Sequence, residues 1–437
     1  MSKTVTMCTR VEGHGSLRIS FQKNEISGVY FEIQAFRGFE NILLNKKLID
    51  VPRIVSRVCG LCYASHAITS CRAIESMFEL EPSSQSIQLR RLLMTGELIN
   101  SHSMHFFFQA FPDLFVILKG QSNPLPLSEL LQYDRQITSK MFDLIKIGKE
   151  LVTIFGGRSA HPITPVIGGI SHAPPKKNLG TARKHLQQAL TNIKWVIERY
   201  QELFSQDEPP AEFSLGNPTF LANYDKGKYD RYSGLLQLKQ NNAVLANFPG
   251  VDYSQHFDWR EDVQGALPGI YTVAGDSKLF VGPISRYHII KDYGIAEVEP
   301  YLDYFSKAWQ GNLLYSHYLR LIEILTEIYE GLAILENTKL FKPIKIAPLT
   351  SIKNREGVGV VEAPRGTLIH HYHVNDERLI DNIKLLVATE INIPTINNIL
   401  TRQSQKLFGE TQDLEQVKRQ AQIILRSFDP CISCATH

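Results

Sequence analysis

The chain has 437 residues, 43% of them apolar, with 47 Lys and Arg against 44 Asp and Glu for a formal charge of +3. That balance gives no basic surface for nucleic acid or anionic lipid, and no uncharged apolar run approaches the ~20 residues of a membrane helix. Six cysteines are too few for a disulfide scaffold at this length, and their clustering beside histidines suits metal ligation in a reducing compartment, so a cytoplasmic protein is expected. The first ten residues lack the apolar core of a signal peptide. Length and composition fit one large domain, 1–437.

Along the chain, Leu17, Ile19 and Phe21 and then Val29, Phe31 and Ile33 alternate with polar residues, which predicts a β-hairpin turning across 24–28. A first cysteine motif follows on a loop leading into a helix. Leu89, Leu92, Leu93, Gly96 and Ile99 have helical spacing and predict a long helix over 86–109. Leu130, Leu131, Ile137, Met141, Leu144, Ile145 and Val152 predict a second over 127–155. Gly156, Gly157, Pro162 and Pro165 interrupt the pattern before a third amphipathic run over 179–204. Residues 207–298, rich in Gly, Pro, Tyr and Asp, read as an irregular lobe with little legible chemistry. A fourth helical run extends over 300–335, and four such helices predict a bundle. Strand-like alternation returns over 358–362 and 367–374, and a last helix over 414–426 leads to the final segment. The expected fold is mainly α with peripheral β (α+β), built on a long-helix bundle.

Two short motifs stand at the ends of the chain: Arg57-Val58-Cys59-Gly60-Leu61-Cys62-Tyr63-Ala64-Ser65-His66 and Asp429-Pro430-Cys431-Ile432-Ser433-Cys434-Ala435-Thr436-His437. Each Cys-x-x-Cys presents two soft thiolates on a short loop, and two pairs brought together make a four-sulfur metal site. A structural zinc site, a redox dithiol and an iron-sulfur cluster site all compete for such motifs. Structural zinc normally staples a local module, whereas these motifs lie far apart, yet it stays open; a dithiol needs only one motif and a covalently attached haem needs Cys-x-x-Cys-His, so neither of those explains the pairing. Cys8 and Cys71 are the remaining cysteines, too few to ligate a separate cluster. Redox chemistry at the site would therefore send its electrons through another subunit.

The signatures Arg-x-Cys-Gly-x-Cys-x-x-x-His and Asp-Pro-Cys-x-x-Cys-x-x-His, in this order at the two ends, resemble those of the large, catalytic subunit of nickel-iron hydrogenases. The resemblance runs from about Thr9 to the C-terminus and is weakest in the middle lobe. It implies reversible heterolytic oxidation of dihydrogen, with electrons passing to a small subunit that carries iron-sulfur clusters. It further implies that Cys59 and Cys431 are terminal nickel ligands. Cys62 and Cys434 would bridge nickel to an iron bearing carbonyl and cyanide. A dihydrogen sensor with the same metal site and a non-catalytic structural relative are the competing readings.

By the same resemblance, Arg10-Val11-Glu12-Gly13-His14 supplies Glu12 as the first proton acceptor from a terminal cysteine. Glu362-Ala363-Pro364-Arg365-Gly366 hangs Arg365 over the open metal position, with Asp113 or Asp429 as its ion-pair partner. His66 donates a hydrogen bond to a bridging sulfur, and Thr389 hydrogen-bonds a cyanide. Arg37-Gly38-Phe39-Glu40 resembles a segment whose carboxylate holds a second metal, usually magnesium, so Glu40, a backbone carbonyl at Leu385 and His437 form that expected site. His370, His371 and His373 are not expected to converge on a metal, because successive strand positions face opposite ways. The absence of a proline before Thr389 resembles the cytoplasmic branch that works with flavin, deazaflavin or heterodisulfide-reducing partners. A chain ending at His437 resembles either the processed form or one made without a tail.

Overall fold

In the computed structural model, the described residues are 2–33, 38–120, 124–204, 208–261, 269–273, 277–290, 292–337, 340, 343–349 and 351–436. Four long helices, Ser84–Met104, Arg135–Gly156, Lys176–Phe204 and Tyr315–Leu335, each pack on two of the others and close a bundle. Sheets flank it, so the fold is α+β. Of these four, only the Lys176–Phe204 helix follows its expected bounds closely; the later Leu414–Ser427 helix does so too. The 127–155 run divides into Leu127–Tyr133 and Arg135–Gly156, because Asp134 takes an extended conformation and its carboxylate accepts from the backbone N–H of Gln136 (3.0 Å) and Ile137 (3.1 Å). The 86–109 run begins at Ser84 and stays α-helical to Met104. It then widens into a π-helical turn, His105–Ala110, before the Phe111–Leu118 helix. In the 300–335 run the long helix starts only at Tyr315, after short turns at Glu299–Leu302 and Lys307–Gly311.

The N-terminal hairpin pairs Gly15–Gln22 with Glu25–Ile33, and its turn is tighter than expected, falling on Lys23 and Asn24, both at positive φ. Ser2–Met7 adds a third, unanticipated strand at its edge. The lobe expected to be irregular holds a six-stranded sheet, in the order Ala243–Phe248, Leu235–Gln240, Thr219–Tyr224, Ser277–Phe280, Gly269–Val273 and Asp258–Glu261. Its alternation was masked by short strands and many turn residues.

Two further elements place the functional groups. The Tyr63–Met77 helix is buried along almost its whole length and lies under the antiparallel pair Glu356–Ala363 and Gly366–Val374. The approach is so close that a Cβ on Gly359 would stand 2.2 Å from the carbonyl oxygen of Thr69, and one on Gly357 2.1 Å from that of Ala73. The Ala388–Thr411 helix, which contains Pro394, packs against the N-terminal sheet and carries Thr389 in its first turn. The Leu414–Ser427 helix then leads to the terminal cysteines. No helix among the described residues is long and apolar enough to cross a membrane.

Candidate metal centre

Cys59 and Cys62 lie on the loop that enters the Tyr63–Met77 helix, and Cys431 caps the short Ile432–Ala435 turn that contains Cys434. The N-terminal segment lays its backbone along the C-terminal one, the N–H of Ile432 donating to the carbonyl of Glu12 at 3.2 Å. All four thiols are buried, and their sulfur atoms lie within 4.8 Å of one another. The first cysteines of the two motifs face each other, Cys59 Sγ to Cys431 Sγ at 3.3 Å, and so do the second, Cys62 Sγ to Cys434 Sγ at 3.1 Å. These separations exceed the ~2.05 Å of a disulfide, and all four are free thiols.

With metal–thiolate bonds of about 2.3 Å, two ligands of one tetrahedral ion stand ~3.8 Å apart, which lies between the facing pairs at 3.1 and 3.3 Å and the 4.8 Å bound on the whole set. The sulfur set fits such a group, and its soft donors suit nickel or zinc. Protonation is uneven among the thiols. Cys59 is pulled well below the usual thiol range, chiefly by hydrogen bonding from Cys431, Cys434 and Cys62. The other three are pushed up: Cys431 and Cys434 chiefly by burial, Cys62 chiefly by its contact with Cys431.

Beside the cluster is a cavity of about 20 Å³, bordered by Cys62, Cys431, Cys434, His66, Arg365, Thr389 and apolar side chains including Leu368 and Val387. Structural zinc sites are closed, whereas catalytic ones keep an open position. Arg365 lies over this cavity, its Nη2 3.0 Å from Asp429 Oδ1 and its Nε donating to the Asp429 carbonyl at 2.9 Å. Burial works against the guanidinium charge, but Asp429 and the cysteines outweigh it, and Arg365 is held firmly protonated. Neither Nη2 nor the Asp429 carboxylate oxygens make an aligned hydrogen bond among the described residues, so this buried pair keeps capacity for a ligand. Thr389 Oγ1 accepts from the backbone N–H of Cys431 at 2.8 Å, which leaves its own proton to donate.

Glu12 is linked to the cluster through a residue the sequence reading passed over. Its carboxylate accepts from the Ser433 N–H at 3.0 Å and the Ser433 hydroxyl at 2.6 Å, and that hydroxyl is 3.6 Å from Cys431 Sγ. Ser433 lies inside the Cys-x-x-Cys motif, where a hydroxyl beside a thiol was a readable signal. Glu97 was also missed. It sits at the N-terminus of the Tyr63–Met77 helix and accepts from the N–H groups of Ala64 (2.5 Å) and Ser65 (3.1 Å), and burial pushes it up to about 7.

Asp113 is not among the residues bordering the cavity. Its carboxylate is taken by Arg426, at 2.6 and 3.0 Å, and by Arg10. Of its two expected partners, Arg365 therefore has Asp429, with the hydroxyl of Ser101 at 3.4 Å from Nη1. Glu40 and Leu385 do come together, the Leu385 N–H donating to Glu40 Oε1 at 3.0 Å, while His437 and Arg37 lie outside the described residues. The three histidines diverge: His370 turns inward to His66, His371 meets Tyr253 at 3.0 Å, and His373 meets Asp381 at 2.5 Å.

The lobe contributes a buried ionic network behind Arg365. Arg286 donates through Nε (2.6 Å) and Nη2 (2.7 Å) to Glu323, and through Nη1 (2.8 Å) to Glu362. It also holds the carbonyls of Ala363 (3.2 Å) and Pro364 (3.0 Å), the two residues before Arg365.

Residues 37–119 and 283–437, together more than half of the chain, match the family model of nickel-dependent hydrogenases. The chain belongs to that family. The matched stretches contain the four cysteines, Arg365 and Thr389, and the bundle's middle helices and the six-stranded lobe fall between them. One subunit of the F420-non-reducing hydrogenase vhc of Methanococcus voltae is 27% identical, over 98% of this chain and 93% of its own length. The like-named subunit of the F420-non-reducing hydrogenase of Methanothermobacter marburgensis is also 27% identical, over 99% and 94%. A crystal structure of an NAD+-reducing [NiFe]-hydrogenase in the H2-reduced state superposes with a TM-score of 0.91 at 26% identity, covering all of both chains. The chain is thus a large subunit of the nickel-iron hydrogenase type, an oxidoreductase of dihydrogen, and its four-cysteine cluster is the place for the metal centre.

Proposed function

We propose that this hydrogenase chain holds nickel on Cys59, Cys62, Cys431 and Cys434, with Cys62 and Cys434 bridging to iron that bears carbonyl and cyanide. On this reading it catalyses the reversible heterolytic oxidation of dihydrogen. The observation that carries the reading is the four-thiol cluster, three of whose cysteines (Cys62, Cys431 and Cys434) border a cavity also bordered by Arg365, itself paired with Asp429. When bound, the metal centre supplies the Lewis acidity that polarises dihydrogen. The chain's own groups do the rest. Leu368, Val387 and Ala388 keep bulk water from the cavity, and Arg365 presents a fixed positive charge to it. Cys431 Sγ holds the released proton, the Ser433 hydroxyl lies between it and Glu12, and Glu12 takes the proton outward. Thr389 and His66 offer donors to groups on the iron side of the cavity.

Electrons leave to a small subunit with iron-sulfur clusters. The cysteine loop is exposed at Arg57 and Gly60, and a groove of about 330 Å³ beside it is bordered by Ile49, Pro52, Arg53, Arg158, Pro162 and Ile163. This is the face we assign to the small subunit, because the loop that carries Cys59 reaches the surface at Arg57 and Gly60. Beyond it, the electron acceptor lies in a flavin- or deazaflavin-containing or heterodisulfide-reducing subunit. Six free thiols agree with a reducing, cytoplasmic setting. The contact between Glu40 and Leu385 supports a magnesium site completed by His437.

The test is infrared spectroscopy of protein purified after expression with its maturation factors, combined with metal analysis and dihydrogen-dependent reduction of an artificial acceptor. Carbonyl and cyanide bands, nickel and turnover are expected. Zinc as the sole metal, with no bands, would leave a structural zinc site. Bands without turnover would leave a sensor.

A further inference from the structure

Tyr372 is two positions beyond His370 on the Gly366–Val374 strand, so both side chains point to the same inward face. All three members of the set Tyr372, His370 and His66 are buried and joined by hydrogen bonds, with Ser70 also beside the Tyr372 hydroxyl. The Tyr372 hydroxyl is 2.7 Å from His370 Nδ1, and His370 Nε2 is 3.0 Å from His66 Nδ1. The His66 ring borders the same cavity as Cys62 and Cys434, with Nε2 on the side of the ring away from His370.

Such a chain has two proton orderings. In one, Tyr372 donates to His370 Nδ1, His370 Nε2–H donates to His66 Nδ1, and His66 carries its proton on Nε2 toward the cysteines. In the other every bond is reversed, and His66 turns a lone pair toward sulfur. Thiolate sulfurs accept and do not donate, so the first ordering is the one that offers them a donor, and a proton held on His370 Nε2 by the Tyr372 bond to Nδ1 maintains it. Burial holds His66 down to about 4 and pushes the Tyr372 hydroxyl well above its usual range, so neither group resolves the arrangement by changing charge at neutral pH.

We infer that Tyr372 and His370 are positioning residues that fix the tautomer of His66, so that a neutral N–H donor faces the Cys62–Cys434 side of the metal site. The inference rests on the nickel-iron reading and adds to it a three-residue device for setting electron density at the bridging thiolates. A donor to a bridging sulfur withdraws density from the iron, and its loss strengthens back-donation to carbonyl.

Tyr372→Phe keeps the ring and removes the hydroxyl that donates to His370 Nδ1. The expected result is a carbonyl band moved to lower wavenumber, or split into two, together with a lowered midpoint potential of the centre at unchanged nickel content. His370→Leu is expected to do the same. His370→Gln, whose amide N–H can replace the Nε2 donor, is expected to return the band toward its wild-type position. Identical bands and potential in Tyr372→Phe and wild type would overturn the inference and leave the metal reading standing. If Tyr372→Phe takes up no metal, the His370 pair decides, and equal spectra for Leu and Gln would overturn it. Absence of bands in the wild type would instead remove the underlying reading.

Discussion

Replacing Arg286 by Met tests whether the lobe supports the metal site through charge. The guanidinium lies within 3.2 Å of five acceptors: two oxygens of Glu323, one of Glu362 and the carbonyls of Ala363 and Pro364. Removing it strands two buried carboxylates. Among the described residues, Glu323 keeps His102 as a hydrogen-bond partner, at 2.8 Å, and Glu362 keeps the Thr367 hydroxyl at 2.7 Å and the Asn223 N–H at 2.9 Å. Breaking a buried ion pair on one side costs ~3–5 kcal/mol, more than the loss of any one hydrogen bond, because the remaining charge stays desolvated. With an unfolding entropy of ~2.1 cal/mol/K per residue, a chain of 437 residues would lose about 3–5 °C in Tm.

The pH dependence separates lost charge from lost packing. Arg286 opposes the burial that would raise Glu323, and the carboxyl sits at about 2. A carboxyl held below its unfolded value adds stability above that value, near 4.5, and loses it as pH falls through the folded one. The variant lacks this contribution, and its stranded carboxyls rise above 4.5, so their penalty grows as pH increases. Unfolding of wild type and Arg286→Met at pH 5 and pH 8 should show the larger gap at pH 8, with metal content falling as Ala363 and Pro364 lose their anchor. Arg286→Lys should be intermediate, since it keeps the charge but not the fork. A gap under ~1 kcal/mol at pH 8, or equal gaps at both pH values, would refute the electrostatic account.

Glu12→Gln should retain the bond from the Ser433 N–H, and hence metal content, while dihydrogen oxidation with an artificial acceptor falls by ~10²–10⁴. Full turnover with full metal would exclude Glu12 from proton exit. Gly359→Ala should destabilise by ~1–3 kcal/mol, because its Cβ meets the backbone of the helix that carries His66; an unchanged denaturant midpoint would contradict the close approach. Acid stability should also fall early. Burial holds His66 down to about 4 and His102 to about 3, so the folded state binds fewer protons than the unfolded one between there and the ordinary 6.5. The stability these histidines give is full above 6.5 and declines below it at ~1.4 kcal/mol per pH unit each, which unfolding curves at pH 7 and 5.5 would measure.

The cysteine motifs were legible because metal ligation demands fixed side-chain types at fixed spacing. The Lys176–Phe204 helix was legible because one face is exposed and the other buried, which prints a period on the sequence. Where an element is buried all round that period vanishes, as in the first half of Ala388–Thr411, whose β-branched residues and Pro394 give no helical signal. Asp134 shows the opposite failure: the apolar spacing continues across it, and only its cap identifies the break. The Asp113 assignment failed because ion-pair partners are chosen by tertiary packing. Arg426 is far along the chain yet occupies that carboxylate, and Arg286 reaches Glu323 and Glu362 only because the lobe folds against the bundle. Ser433 was a different kind of miss, visible in the motif but given no role.

The arrangement of charge around the cavity explains why a chain with so polar a core closes on its own ends. Arg286, Arg320 and Arg365 are matched by Glu323, Glu362 and Asp429, all buried. The surroundings are therefore close to neutral before the thiols are counted, and they have no spare cations with which to ionise four cysteines. The thiols reflect this, with Cys59 alone drawn down and the other three pushed up. A soft metal ion between the sulfurs would supply positive charge there, and thiols bind such an ion as thiolates, so its uptake would displace the protons they carry. Because one pair comes from each end of the chain, the same event ties the Glu12 strand, the first cysteine loop and the final turn together. Arg365, paired with Asp429, also lies within the field of Cys431, Cys62 and Cys59, so its charge is shared between that carboxylate and the sulfurs.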